Sequence, residues 1–335
     1  MAYVFLTACR NEEAILDDFL SEFTEMVGVA GITERATLYV VDDLSTDRSR
    51  EILDRYARSS TAVKVHTIEV PTNFGNQGAM FYGLGRIEVG PDDVLITFDC
   101  DGEDDVREIP SILELGAKHP GSVVLIERGQ RAESLVFKAF FRSYKILFRL
   151  LTRQRVVPNN FMLIPAQFVP AIQGSPLAAV HLAYAIAKLN PPHVVTTRDR
   201  RGRYGGRTSQ NLFVLMSHGM VGLMVFYEIV IAKLFALLFV LGALAVTLFG
   251  MAMAVSSSSV AAQRWLLCGA IGAGICAIGQ FSLLLSSALA LVFKLLIFTL
   301  GRMSGEQREE RTHQAEAAPS ERSAARAETT DRAAR

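Results

Sequence analysis

Asp99, Asp101, Glu103 and Asp104 crowd together directly after the apolar run Val94-Leu95-Ile96-Thr97-Phe98. Carboxylates this close repel one another unless a cation or a proton lies between them. Hard oxygen donors suit Mg2+ or Mn2+, ions that usually share their coordination with substrate phosphates. The same string also reads as an acidic loop capping the next helix, with Asp104 or Asp105 as the N-cap. The run before it has the continuity of a strand buried on both faces of a parallel sheet. Ligands of open α/β sheets gather at the carboxyl ends of such strands. Asp99 and Asp101 therefore stand where a bound cation would be expected.

The elements that must position these side chains can be read upstream. Tyr3–Ala8 reads as a strand, followed by the polar turn Cys9-Arg10-Asn11-Glu12-Glu13. Ile15, Leu16, Phe19, Leu20, Phe23 and Met26 recur at helical spacing. A second strand, Thr37–Val41, runs into Asp42-Asp43-Leu44-Ser45-Thr46-Asp47. Helices are expected at Ser49–Arg58 and from Gly75 to Gly85, with a strand at Val63–Val70 between them. Strands alternating with helices indicate a doubly wound, mainly parallel sheet. Two strands ending in acid favour a nucleotide–metal site over coincidental caps. Neither a dinucleotide-binding glycine fingerprint nor a phosphate-binding P-loop string occurs.

Four ordered motifs now stand together: Asn11-Glu12-Glu13, Asp42-Asp43-x-Ser45-x-Asp47, Asn73-x-Gly75-x-x-Gly78-Ala79 and Asp99-x-Asp101-x-x-Asp104. In this order the chain resembles the family 2 GT-A glycosyltransferases, and within them the polyprenyl-phosphate glycosyltransferases that include dolichyl-phosphate mannose synthase and GtrB-type enzymes. The resemblance runs over roughly residues 3–300. It implies a GT-A fold in which the nucleotide sugar lies against Ala8, Arg10, Glu12, Asp42, Asp43, Asn76, Asp99 and Cys100. Asp42 and Asp43 would lie at base and ribose, with Glu12 near them. Asp99 and Asp101 would hold the metal, with Glu103 as a further ligand, and Asp101, Glu103 and Asp104 form the catalytic set. The chain departs from the family's usual strings at Ala8-Cys9-Arg10, at Gly102-Glu103, at Asn160-Phe161-Met162-Leu163, and at Gly206-Arg207-Thr208-Ser209.

Further along, Gly121–Glu127 reads as a strand and Ser134–Arg153 as a long helix. On that helix Lys138, Arg142, Lys145 and Arg149 share one face, and aromatic and aliphatic residues fill most of the remainder. A basic stripe beside a broad apolar face is what an interfacial helix on an anionic leaflet needs. Arginine grips phosphate through paired hydrogen bonds. The residues expected to take a lipid phosphate are Arg128, Arg131, Lys138, Arg142, Arg203 and Arg207, the last two in a glycine-loosened basic loop, together with Ser209 of the string in which the chain departs from the family. A strand at Phe161–Ile164, a helix at Leu177–Lys188 and a strand at Val194–Arg198 complete the expected domain, residues 1–210.

Half of the 335 residues are hydrophobic, and most of the excess lies after residue 211. Residues 211–232 read as an amphipathic juxtamembrane helix. Residues 233–300 read as a transmembrane hairpin with uncharged runs at about 234–255 and 265–293, each long enough to span. Arg264 is the loop's single basic residue, whereas Lys233, Lys294, Arg302, Arg308 and Arg311 flank the other ends. The charge bias places the N-terminal domain and the tail on the cytoplasmic side, and with two spans the chain is expected to be a multi-pass protein of the inner (plasma) membrane. The first residues lack the pattern of a signal peptide. Residues 301–335 hold no aromatic residue and are expected to be disordered. Formal net charge is zero, so nucleic acid is not an expected partner. Four cysteines form no metal-ligand spacing and read as reduced thiols. Two helices bury little surface, so a homo-oligomer is among the expectations.

The function expected is transfer of a sugar, with inversion, from a nucleotide-diphosphate sugar to a polyisoprenyl phosphate, with Mg2+ or Mn2+ as cofactor. The alternatives are a membrane glycosyltransferase with a glycan or other hydroxyl acceptor, and a non-catalytic membrane scaffold derived from the same fold.

Overall fold

The structure is a computed structural model that describes residues 1–59, 63–129, 135–154, 157–198, 225–254 and 267–282, with a few single positions between and beyond the last two stretches. Seven strands form one sheet in the order β3-β2-β1-β4-β6-β5-β7. They are β1 (Tyr3–Cys9), β2 (Ala36–Asp42), β3 (Lys64–Glu69), β4 (Val94–Thr97), β5 (Val123–Arg128), β6 (Met162–Pro165) and β7 (His193–Arg198). β1 pairs parallel with β2 and β4, β2 with β3, and β5 with β7. β6 runs antiparallel between β4 and β5. The expected mixed α/β, mainly parallel sheet is therefore present. The order reverses at β1: β2 and β3 lie on one side and β4 on the other. That reversal opens a crevice at the carboxyl ends of β1, β2 and β4.

β1 shows why this sheet is buried on both faces. Its side chains alternate, as strand geometry requires. Val4, Leu6 and Ala8 join the core under α3 (Gly75–Leu84) and α8 (Leu182–Leu189). Phe5 and Cys9 join the opposite core under α1 (Leu16–Val29), α2 (Ser49–Ser59) and α4 (Ile109–Lys118). On the α1 face Phe5, Phe23, Phe98 and Phe161 form an aromatic cluster, with centroids 4.9 Å apart for Phe5–Phe23 and 5.9 Å for Phe98–Phe161. Burying Phe98, which is fully covered, stabilises the root of the acidic loop by about 2–3 kcal/mol.

On the other face α3 lies close enough to the sheet that Gly83 has no room for a side chain. A Cβ there would run into Val41 Cγ2 and stand 3.0 Å from Leu6 Cδ1. Gly83→Ala is expected to cost about 1–3 kcal/mol in chemical denaturation, although alanine is the better helix former. An unchanged midpoint would mean that α3 can lift away from β1 and β2.

Two elements differ from the sequence expectation. The helix read over Leu177–Lys188 is two helices, α7 (Pro176–Val180) and α8, broken at His181, whose backbone is extended (φ −166°, ψ 116°). The acidic loop leads into a 3-10 turn at Val106–Glu108 before α4, and Asp105 caps that turn by accepting from Arg107 N. α5 (Leu135–Thr152) lies within the helix expected at Ser134–Arg153, and a short α6 (Val169–Gln173) follows β6.

Beyond the sheet, one described helix is long and apolar enough to cross a membrane. It runs from Tyr227 to Ala254, with a candidate span at Tyr227–Leu248 of mean hydropathy 2.7 and almost no burial. A shorter apolar helix, Leu267–Ser282, falls inside the second expected span. Among the described residues it is too short to count as a span, so the two-helix hairpin stays an expectation. Of the amphipathic helix expected over residues 211–232, residues 211–221 and 224 lie outside the described residues and 227–232 belong to the Tyr227–Ala254 helix, while the 301–335 tail lies outside the described residues entirely.

Candidate active site

The crevice is framed by two turns zipped to each other. The Arg10–Glu13 turn leaves β1 with Asn11 in a left-handed conformation (φ 54°). Asn11 N donates to Ser45 Oγ at 3.0 Å, and Asn11 Oδ1 accepts from Thr46 N at 2.7 Å. Glu12 N donates to Ser49 Oγ at 2.8 Å, Glu13 N to Asp47 Oδ2 at 3.1 Å, and Arg48 N to Glu13 Oε2 at 2.9 Å. The motif residues Asn11, Ser45 and Asp47 thus hold the ends of β1 and β2 in register. Asp47 Oδ1 also accepts from Ser49 N at 3.0 Å and so caps α2.

Asp42 and Asp43 are both buried. Asp42 Oδ1 accepts from Ser45 N at 3.0 Å. Asp43 accepts from Phe74 N and Gly75 N, each at 2.8 Å and one on each carboxylate oxygen. It therefore pins the start of α3, where Gly75 takes a positive φ of 69°. Burial lifts the Asp43 carboxyl above its usual range, against the lowering pull of those two amides and of Arg10. A raised carboxyl adds stability at low pH that is lost as pH rises through the folded value, so Asp43 does not contribute to acid unfolding.

Asp47 behaves in the opposite sense. Burial pushes its carboxyl up, but hydrogen bonds from Ser49 and Glu13 outweigh that and leave it below the usual 3.8. Its stabilisation is present above 3.8 and lost as pH falls through the depressed folded value. Asp47→Ala is expected to cost about 1–2 kcal/mol at neutral pH. The gap from wild type should close in urea titrations carried below pH 3.8. A gap that widens on acidification would contradict this assignment.

Asp99 and Asp101 follow β4 and are partly exposed, whereas Glu103 and Asp104 are buried. Asp99 N donates to Asp104 Oδ2 at 2.9 Å, so Asp104 braces the loop from inside. Glu103 N donates to Asp101 Oδ1 at 2.9 Å, and Gly102 permits this tight turn with φ 84°. Asp99 Oδ1 accepts two side-chain amides: Asn76 Nδ2 at 3.0 Å and Asn160 Nδ2 at 2.9 Å. Both amides fall on one oxygen of the carboxylate. Among the described residues no group of three or more His, Cys, Asp or Glu is arranged to hold a metal ion. The donor chemistry nonetheless fits Mg2+ or Mn2+, which take one or two carboxylates and complete their shell with phosphate oxygens and water.

Ala8 and Cys100 lie under this crevice, and both are buried. Cys100 Sγ donates to Ala8 O at 3.2 Å, tying β1 to the acidic loop. Burial first pushes both the Cys9 and Cys100 thiols far up, followed by nearby carboxylates for Cys9 and by Cys9 and then carboxylates for Cys100, so neither is a nucleophile at neutral pH. Arg10 is exposed at the rim and Glu12 partly so.

A second feature lies on the same edge of the sheet. β5 points the same way as β4, because both oppose β6. Thr97 of β4 and Leu125 of β5 both pair with Met162, so the strands run level there about 10 Å apart, two strand spacings, and β5 continues three residues further to Arg128 at its carboxyl end. Beside it is a cavity of about 260 Å³ lined by Glu127, Arg142, Lys145, Arg149, Tyr144 and Tyr184, among others. Lys145 Nζ is 3.0 Å from Glu127 Oε1, while Ile146, Leu147 and Leu150 of α5 are half or more exposed. The Tyr227–Ala254 helix begins at this place. Val225 and Phe226 are buried against Phe148 of α5 and Tyr184 of α8. Lys188 pairs with Glu228 at 3.0 Å, and Lys233 Nζ donates to Leu150 O at 2.5 Å.

Of the residues expected to take a lipid phosphate, Arg142 lines the cavity. Arg128 ends β5 and Lys138 sits in α5, but their side chains lie outside the described residues, as do Arg131, Arg203, Arg207 and Ser209 entirely. Sequence reasoning noted Lys145 and Arg149 on the stripe but did not assign them to the site. It missed Gln77 and Thr97 altogether. Thr97 Oγ1 donates to Asn160 O at 2.6 Å.

Residues 5–169 match the family described as Glycosyl transferase family 2. Among curated relatives, the undecaprenyl-phosphate 4-deoxy-4-formamido-L-arabinose transferase of Pectobacterium carotovorum subsp. carotovorum is 31% identical over 126 residues, 38% of this chain and 37% of that protein. The enzyme of the same description from Photorhabdus laumondii subsp. laumondii is 30% identical over 143 residues, 43% and 41% of the two chains. The matched stretch thus spans about two fifths of these relatives. Among solved structures, the mannosyltransferase PcManGT from Pyrobaculum calidifontis, in complex with GDP-Man and Mn2+, aligns with a TM-score of 0.48 at 14% identity over 88% of this chain and 86% of its own. Glucosyl-3-phosphoglycerate synthase from Mycobacterium tuberculosis, in complex with Mn2+, UDP and phosphoglyceric acid, aligns at 0.47 and 14% over 68% and 78%. Likenesses below 0.5 stop at general shape.

Proposed function

We propose that residues 5–169, which match the family described as Glycosyl transferase family 2, act as a glycosyltransferase domain, and that the chain moves a sugar from a nucleotide-diphosphate sugar to a polyisoprenyl phosphate at a membrane surface. The observation that carries this reading is a juxtaposition. The Asp99–Asp101 pair and a basic, aromatic cavity share one sheet edge, and the apolar Tyr227–Ala254 helix is anchored at the cavity's wall. A soluble acceptor would need no such helix. The names of the curated relatives point to the same acceptor class.

In this reading the donor lies across the carboxyl ends of β1, β2 and β4. Asp99 and Asp101 would hold Mg2+ or Mn2+, which when bound would supply electrostatic stabilisation of the charge on a departing nucleotide diphosphate. An oxygen of the acceptor phosphate attacks the anomeric carbon, the bond to the diphosphate breaks, and its electron pair leaves with the nucleotide. Direct displacement inverts the anomeric centre. A phosphate with a second pKa of about 6 is already largely ionised at neutral pH, so no strong general base is required. The burial of Glu103 and Asp104 is compatible with that. Arg142, Lys145 and Arg149 would hold the acceptor phosphate, with the exposed Ile146, Leu147 and Leu150 against the lipid. Residues 1–210 would form the cytoplasmic domain, with the hairpin of residues 233–300 anchoring it in the inner membrane.

The acceptor assignment is tested by comparing a polyprenyl phosphate with the corresponding polyprenol, using one labelled nucleotide sugar. Transfer to the phosphate alone is expected. Transfer to the free alcohol, or to a glycan hydroxyl in preference to both, would replace this reading with a hydroxyl-acceptor enzyme.

A further inference from the structure

The Asp99 carboxylate stands at the end of a chain of amides that begins at a main-chain group. Leu182 N, at the start of α8, donates to Gln77 Oε1 at 2.9 Å. Gln77 Nε2 donates to Asn160 Oδ1 at 3.0 Å, and Asn160 Nδ2 donates to Asp99 Oδ1 at 2.9 Å. A side-chain amide can turn over and exchange its oxygen for its nitrogen, so its orientation is set by its partners. Here the sense of the chain is fixed at its origin, because a backbone N–H can only donate. Leu182 N therefore turns the Gln77 oxygen toward α8 and its NH2 toward Asn160. That in turn leaves the Asn160 NH2 facing Asp99. The Asn160 backbone is held as well, through Thr97 Oγ1 on its carbonyl. Asn160 is buried, so no water competes readily for its amide.

We propose that Gln77 is a positioning residue for Asp99: acting through Asn160, it fixes which carboxylate oxygen receives the amides and so which oxygen is turned toward a cation. The proposal rests on the reading of Asp99 as a cation ligand. Outer partners that orient a metal carboxylate typically change metal affinity 10- to 100-fold when removed. Gln77→Glu keeps the oxygen that accepts from Leu182 N but replaces the NH2 with a second oxygen. Asn160 then loses its reason to present NH2 to Asp99. Asn160→Leu keeps the size of the side chain, adds no charge beside the cation and removes the donor to Asp99 directly.

The test is Mn2+ binding by the full-length protein in nanodiscs with a nucleoside diphosphate present, read by the loss of the free-ion EPR signal. Thermal midpoints without metal are recorded alongside. Both single variants are expected to weaken Mn2+ binding about 10-fold or more. The double variant is expected to be no weaker than Asn160→Leu alone, because Gln77 acts only through Asn160. Wild-type affinity in Gln77→Glu, or losses that multiply in the double variant, would overturn the proposal. Gln77→Leu serves as a second variant should the charged one not fold, with the same expectation. Failure of the wild-type protein to bind Mn2+ at all would overturn the cation reading itself, and is told apart because it needs no variant.

Discussion

Asp99→Ala is expected to lower sugar transfer on the order of 10²–10³-fold while leaving the fold intact. The magnitude follows from the charge that the departing diphosphate develops, since removing one electrostatic partner of such a charge costs 10²–10³-fold in comparable sites. Asp99 is the better placed of the two carboxylates for this role, because two amides on Oδ1 fix its orientation. Stability should suffer little. The side chain is only partly buried, and the main loss is the hydrogen bond to the buried Asn160 amide, about 1–2 kcal/mol. The check is glycolipid formation by the variant, with its circular dichroism spectrum and thermal midpoint compared with wild type. Transfer within a few-fold of wild type would remove the acidic pair from the chemistry and favour a non-catalytic scaffold.

The second large effect concerns stability. Asp43→Ala removes a carboxylate that accepts from Phe74 N and Gly75 N at once. These are charge-assisted bonds to the positive end of a helix, at a buried position. Their joint loss is expected to cost about 3 kcal/mol. At roughly 3 °C per kcal/mol for a domain of this size, the thermal midpoint should fall by about 9 °C. Asp43→Asn keeps one acceptor oxygen and should lose about half as much. Since Asp43 also sets where α3 begins, the variants should weaken nucleotide binding through displacement of Asn76, which reaches Asp99 from the first turn of α3. An Asp43→Ala protein with an unchanged midpoint but lost nucleotide binding would show instead that Asp43 works on the ligand directly and holds nothing in the fold.

The strands were legible because they are buried on both faces. Val94–Phe98 is an unbroken apolar run, and it becomes β4 and the core residue Phe98. The acidic ends of β2 and β4 were legible for the same reason, since their position follows from the strands before them. What those acids do was less so. Sequence proximity groups Asp42 with Asp43 and Asp99 with Asp104, yet in each pair one member braces the backbone while its neighbour faces the crevice or a turn. The partners that decide this are backbone amides, which leave no mark on residue type. The amide chain was hidden by distance: Gln77 and Asn160 are 83 residues apart, and Gln77 and Leu182 105. Nothing in the composition of either stretch announces that they meet. The break at His181 was hidden because Leu177–Lys188 keeps a helical apolar period across it. Leu182 N, the first amide of the second helix, is taken by Gln77 Oε1 from a distant part of the chain.

The most direct measurement incubates the purified full-length protein with a polyprenyl phosphate, a panel of nucleotide-diphosphate sugars and Mn2+ or Mg2+, and analyses the lipid fraction by mass spectrometry. The account predicts a sugar-phosphate lipid formed from at least one donor, lost on addition of EDTA and restored by excess cation. A lipid-linked sugar that forms equally well in EDTA would contradict the role given to Asp99 and Asp101. Donor consumption with the sugar delivered only to water or to a hydroxyl would contradict the acceptor.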